Sequence, residues 1–193
     1  MKILSILFIA LFALFAGQKH TSTSTSQYQT LGATTKQIAS NTGESNNLSQ
    51  CRAIHVNPND PQAYLPDPNC TPGVINSQVT QANIGSTICS SGYTKTIRPP
   101  VSYTDKVKRE QIKQYGYIDT NSRDYEEDHF IPLEIGGNPT DPKNLWPEPH
   151  PSTNEKDLVE DYLNKQVCDG SLTLAQAQEE ITQNWYTIYQ KIQ

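Results

Sequence analysis

No two of the four cysteines in this 193-residue chain form a Cys-x-x-Cys pair, so the ligand spacing of a structural zinc knuckle is missing. Positive charge is scarce as well. From Glu44 onward twelve Lys and Arg face twenty Asp and Glu, which argues against a protein that grips a long stretch of phosphates. The one long apolar run, within Met1 to Ala16, is too short to span a bilayer comfortably, and no cysteine follows it to accept a lipid. With a single Lys ahead of it and small polar residues behind, it is expected to be a secretory signal peptide, residues 1–17; the alternative is an uncleaved anchor. Residues 18–50 lack large apolar side chains almost entirely. Their Thr, Ser, Gln and Asn cannot bury enough surface to offset the entropy of ordering, so they are expected to form a flexible linker.

What is left, residues 51–193, has the length of one domain with one core. It holds all four cysteines, and their even number behind an export signal argues for two disulfides. Sequence alone allows three connectivities. The expectation is a local Cys51–Cys70 bridge and a long-range Cys89–Cys168 bridge that ties the front of the domain to its helical end. Between Arg52 and Pro100 the density of Pro, Asn, Asp and Gly predicts loops and short strands, with Val74, Ile75 and Val79 as buried points. Thr104 as N-cap and Gly116 as a stop bound a helix that buries Val107, Ile112 and Tyr115 and turns Lys106, Lys108, Arg109 and Lys113 outward. Near the end, Leu158, Tyr162, Leu163 and Val167 repeat at helical spacing. A last helix opens on the capping box Thr173-x-x-Gln176 and carries an apolar stripe through Leu174, Ala177, Ile181, Trp185, Ile188 and Ile192.

Chemistry concentrates between Tyr125 and Asp157. Tyr125 to Ile131 reads as a short strand that meets Pro132; Gly136-Gly137, Asn138-Pro139 and Asp141-Pro142 mark a tight connection, and a second strand runs from Asn144 to Pro147. Ser152-x-x-Glu155 has the form of a capping box for the helix that follows, with Asn154 in its first turn. On that frame His129 stands beside Asp128 on the first strand. A neutral imidazole takes a proton from water near neutral pH if a partner fixes which ring nitrogen is free. Asn144, through side chain or backbone, is placed to be that partner. The carboxylate of Asp128 and the amide oxygen of Asn154 suit a hard divalent cation such as Mg2+.

Asp-His-x-x-Pro-Leu, the Gly-Gly turn, Asn-Leu and a helix with Asn and Lys, in that order, resemble the HNH, or ββα-metal, endonuclease family over about a fifth of the chain. DHFIPLEIGG, NLWPEP and KD, with CTPG and RPP upstream, look more narrowly like exported bacterial HNH-like proteins. The resemblance implies an α+β fold: a small ββα-metal core with a loop-rich, disulfide-stapled N-terminal part and C-terminal helices. It also implies a general base at His129, an orienting residue at Asn144, and metal ligands at Asp128 and Asn154. The third ligand departs from the family pattern, and Glu155, Asp157 or His150 compete with Asn154 for it.

Arg98, stiffened by two prolines, is a candidate phosphate contact, as is Lys156; the plainer alternatives are a carboxylate partner for Arg98 and an i,i+4 pairing of Lys156 with Glu160. The expected activity is metal-dependent hydrolysis of phosphodiesters in DNA or RNA, with weak, sequence-indifferent contacts to nucleic acid. The expected location is secreted or periplasmic, with no stable membrane insertion after signal cleavage and an immunity protein as partner if the chain is a toxin. The competing expectation is an extracellular binding or structural protein with this fold and no catalysis.

Overall fold

Turns hold the chain from Cys51 to Pro100 together, as its proline and glycine content demands. The computed structural model describes residues 51–149 and 154–193; the expected signal peptide and linker, Ser152 and His150 lie outside the described residues. The front part contains one antiparallel two-residue pair, β1 (Ile54–His55) with β2 (Tyr64–Leu65), then a 3-10 turn (Gln81–Ser86) and the short helix α1 (Tyr93–Ile97). Val79 is buried as expected. Ile75 is not. Its backbone bridges to Gly137 and its side chain is 52% exposed, while Val74 is half-buried.

Helix α2 (Val101–Gln114) begins three residues before the expected N-cap. Pro100 takes the cap position in an extended conformation, and the Thr104 hydroxyl donates back to the Val101 carbonyl. The expected end is sound: Gly116 is left-handed at φ +62°, its N–H reaches the Lys113 carbonyl and that of Tyr117 reaches Ile112. Val107, Ile112 and Tyr115 are buried. Lys106, Arg109 and Lys113 are exposed, but Lys108 is half-buried and donates to the Tyr125 carbonyl.

Two five-residue strands, β3 (Tyr125–His129) and β4 (Leu145–Pro149), pair antiparallel with Asp128 opposite Trp146 and His129 opposite Leu145. The side-chain period of two puts Tyr125, Glu127 and His129 on one face and Glu126 and Asp128 on the other, with Trp146 and Glu148. Helix α3 (Glu155–Cys168) packs on the Asp128 face, and α4 (Leu174–Ile192) packs on α3. The expected stripe on α3 is met at Leu163 and Val167 and missed at Leu158 and Tyr162. Its buried residues are Lys156, Val159, Leu163 and Val167, whereas Leu158 is 57% exposed and Tyr162 is exposed. On α4 the Thr173–Gln176 capping box is present and the apolar stripe is buried up to Ile188, with Ile192 half-buried. The helix breaks at Asn184, in extended backbone, whose side chain accepts from the N–H groups of Tyr186 and Thr187 and so caps the second segment.

Phe130 and Trp146 join Cys51 and Tyr115 in one apolar cluster, while Ile131 and Ile135 join α3 and α4 in the larger one. Disulfides Cys51–Cys70 and Cys89–Cys168 staple the front part to itself and to the end of α3, the pairing expected. The fold class is α+β, built from small two-stranded sheets and helices. Among the described residues no helix is long and apolar enough to cross a membrane.

Candidate active site

The connection between β3 and β4 is drawn tight by one side chain. Asn144, fully buried, accepts through Oδ1 from the N–H groups of Val74 and Ile131 and donates through Nδ2 to the carbonyls of Ile131 and Asn138. Gly137 is required beneath it, because a Cβ there would lie 1.7 Å from the Ile131 carbonyl oxygen. The carbonyl next after Asn138, that of Pro139, meets His129 Nε2 at 3.0 Å. Asn144 is therefore not the ring's partner. It fixes the loop, and the loop's Pro139 carbonyl holds the ring.

A carbonyl oxygen only accepts, so Nε2 of the neutral ring carries the proton and Nδ1 keeps its lone pair. Nδ1 makes no hydrogen bond among the described residues. Burial is the main cause that holds the His129 pKa below the ordinary value; the Pro139 carbonyl and Asp128 oppose it, and the positive charges of Arg98 and Lys156 assist. The ring lies at the wall of a cleft of about 220 Å³, with Arg98, Glu127, Glu134, Asp157 and Glu160 among its other walls. Arg98 is 55% exposed and its guanidinium stands 3.6 Å from Glu134, the carboxylate pairing expected as the plainer alternative.

Asp128 and Asn154 do not converge on a common point. Both Asp128 oxygens face the Lys156 ammonium, at 3.2 Å and 3.0 Å, and Oδ2 also accepts from the Trp146 indole. Asn154 is the N-cap of α3 rather than a residue of its first turn: Oδ1 accepts from the Lys156 N–H, and Nδ2 donates to Glu126 and Glu148. The oxygen meant for a metal is thus engaged by backbone, and the carboxylate by an ammonium. Asp128 and Asn154 do not fit a divalent ion. Of the alternatives, Glu155 accepts from the Tyr189 hydroxyl and Asp157 lines the cleft, while His150 lies outside the described residues.

Lys156 is fully buried, so it is not a solvent-facing phosphate contact. Its ammonium also donates to the His129 carbonyl at 3.0 Å and to Glu160 at 2.5 Å, the i,i+4 pairing expected as the alternative. Carboxylates around it raise the Lys156 pKa against the opposing effect of burial. One ammonium cannot satisfy every acid nearby. Burial pushes Glu160 up to about 8 and Glu148 well above the ordinary range, against the attraction of Lys156.

Sequence reasoning missed Glu127. Both of its carboxyl oxygens are buried without a hydrogen bond, and burial, aided by Asp128 and opposed by Lys108, pushes its pKa up to about 9. The signal was in the strand alternation, which places it on the face of His129. Glu127 raised to about 9, Asp128 and Glu160 against Lys156 and Glu134 against Arg98 leave the cleft less negative than its residue count suggests. Comparison with protein families, with curated proteins and with solved structures finds no match.

Proposed function

We propose that this is an exported hydrolase of phosphodiester bonds in nucleic acid, related in plan to the HNH endonucleases, with His129 as general base. The observation that carries it is a neutral imidazole whose Nε2 is held by Pro139, whose Nδ1 makes no hydrogen bond among the described residues, and whose residue lines a cleft together with Arg98. Strand, tight loop, strand and helix follow in the order the resemblance requires. Water in the cleft gives its proton to Nδ1 as its oxygen attacks phosphorus, the ester P–O bond opposite breaks, the leaving sugar oxygen takes a proton from solvent, and Arg98 meets a non-bridging phosphate oxygen. Asp128 is engaged by Lys156 and the Asn154 oxygen by the Lys156 N–H, so the charge on the phosphate falls to Arg98. With one exposed cation at the cleft among the described residues and an acidic chain, contacts to nucleic acid are weak and indifferent to sequence. Two disulfides favour an oxidising compartment, secreted or periplasmic, in keeping with the signal read at residues 1–17.

One observation favours a second reading, a binding protein that has this plan and no catalysis: most of the cleft's ionisable walls are carboxyl groups, which suit a basic partner better than a phosphate. Incubation of the purified protein with supercoiled plasmid and with RNA separates the two. Nicking that His129→Ala loses, while its circular dichroism is unchanged, is the expected result. Nicking retained by that variant, or absent from the wild type, rejects His129 as the base of a hydrolase. Toxicity on cytoplasmic expression without the signal would place the enzyme among toxins that need an immunity protein.

A further inference from the structure

The Lys156 ammonium sits inside a shell of oxygens. Asp128 supplies two, at 3.2 Å and 3.0 Å, the His129 carbonyl supplies one at 3.0 Å, and Glu160 supplies one at 2.5 Å. These oxygens come from β3 and α3, and a third acidic group, Glu148 on β4, is close enough for its charge to act on the same ammonium. Carboxylate and carbonyl oxygens gathered from separate elements are the donor set of a hard cation. Here an ammonium stands at its centre, and no solvent reaches it.

We infer that Lys156 is the built-in cation of this chain: its ammonium fills, beside His129, the place where related chemistry would put a divalent ion. A fixed ammonium and a dissociable ion cannot share that shell, because their centres would be closer than two like charges tolerate. Two consequences follow. The protein has no divalent site that depends on Asp128, and, on the hydrolase reading proposed above, turnover at His129 continues in a chelator. Lys156 does not touch the substrate in this scheme. It is a positioning residue that holds the His129 carbonyl, and so the end of β3, in place.

Mn2+ binding to the full, oxidised chain, followed by electron paramagnetic resonance, tests the assignment. Wild type and Asp128→Asn are expected to bind Mn2+ equally, and Lys156→Met to gain one site that both lack. An equivalent of Mn2+ bound by wild type and lost in Asp128→Asn overturns the assignment, as does a folded Lys156→Met that gains no site. If neither variant folds, the melting temperature of the wild type decides: equal values in EDTA and in millimolar Mg2+ support it, and a rise of several degrees with Mg2+ overturns it. Plasmid cleavage on the same samples keeps the two ideas apart. No cleavage under any condition removes the hydrolase and leaves the cation assignment, whereas cleavage that needs Mg2+ and the Asp128 carboxylate does the reverse.

Discussion

Glu127 and His129 stand two residues apart on one face of β3, and burial drives both toward their neutral forms. The consequences for stability have opposite signs. Glu127 has a folded pKa of about 9, above its ordinary 4.5, so its contribution is full below pH 4.5 and is lost as the pH rises toward 9. Glu127→Gln keeps the shape and removes the titration. It should match the wild type near pH 4 and exceed it by up to roughly 5 kcal/mol at pH 8 in denaturant unfolding, because the unfolded wild-type chain releases there a proton that the folded one keeps, at about 1.4 kcal/mol per pH unit above 4.5. His129 has a folded pKa below 6.5, so its contribution is present above pH 6.5 and is lost as the pH falls. For the proposed reaction the same shift moves the acid limb of the pH–rate profile below 6.5, because the base stays unprotonated there. A limb at or above 6.5 would contradict a buried His129 base.

At the scale of elements, the β3–β4 connection depends on Asn144 more than on any apolar contact. Its removal leaves two N–H groups and two carbonyls without that partner, so Asn144→Ala should cost roughly 3–5 kcal/mol and slow cleavage as well, since the Pro139 carbonyl loses its register with His129. Unfolding in urea alongside the plasmid assay checks both. Much of this unit was legible beforehand. Gly136-Gly137 and the two X-Pro pairs announced the loop, and strand periodicity placed His129 and Asn144 on its two sides. The first turn of α3 was not legible, for a physical reason. Hydrophobic periodicity assigns a lysine to solvent, but here Lys156 lies in the core among carboxylates, so the true buried face runs Lys156, Val159, Leu163, Val167 and the apolar Leu158 is left outside. The same blindness hid the break in α4. Leu174 to Ile188 keep one stripe across Asn184, and only backbone angles reveal that Asn184 starts a new helix.

Over the whole molecule, the two disulfides compensate for a front part with little regular structure. Chain-entropy arguments assign roughly 3 kcal/mol to the Cys51–Cys70 loop and roughly 4–5 kcal/mol to Cys89–Cys168, whose cysteines are 79 residues apart. Removing the second pair as Cys89→Ser with Cys168→Ser should therefore destabilise more than removing the first, and equal losses in denaturant unfolding would count against this ordering. The long bridge also ties α3, and with it Lys156 and Asn154, to the segment that leads into Arg98. Such a tie joins parts of the chain far apart in sequence that must all meet at His129. The site as a whole rests on that ring having one fixed and one open nitrogen. Nitrogen-15 NMR of the imidazole resonances at neutral pH reads this directly: a neutral ring protonated at Nε2, titrating below 6.5, is the expected result, and a ring that is charged at pH 7 or protonated at Nδ1 would contradict the account.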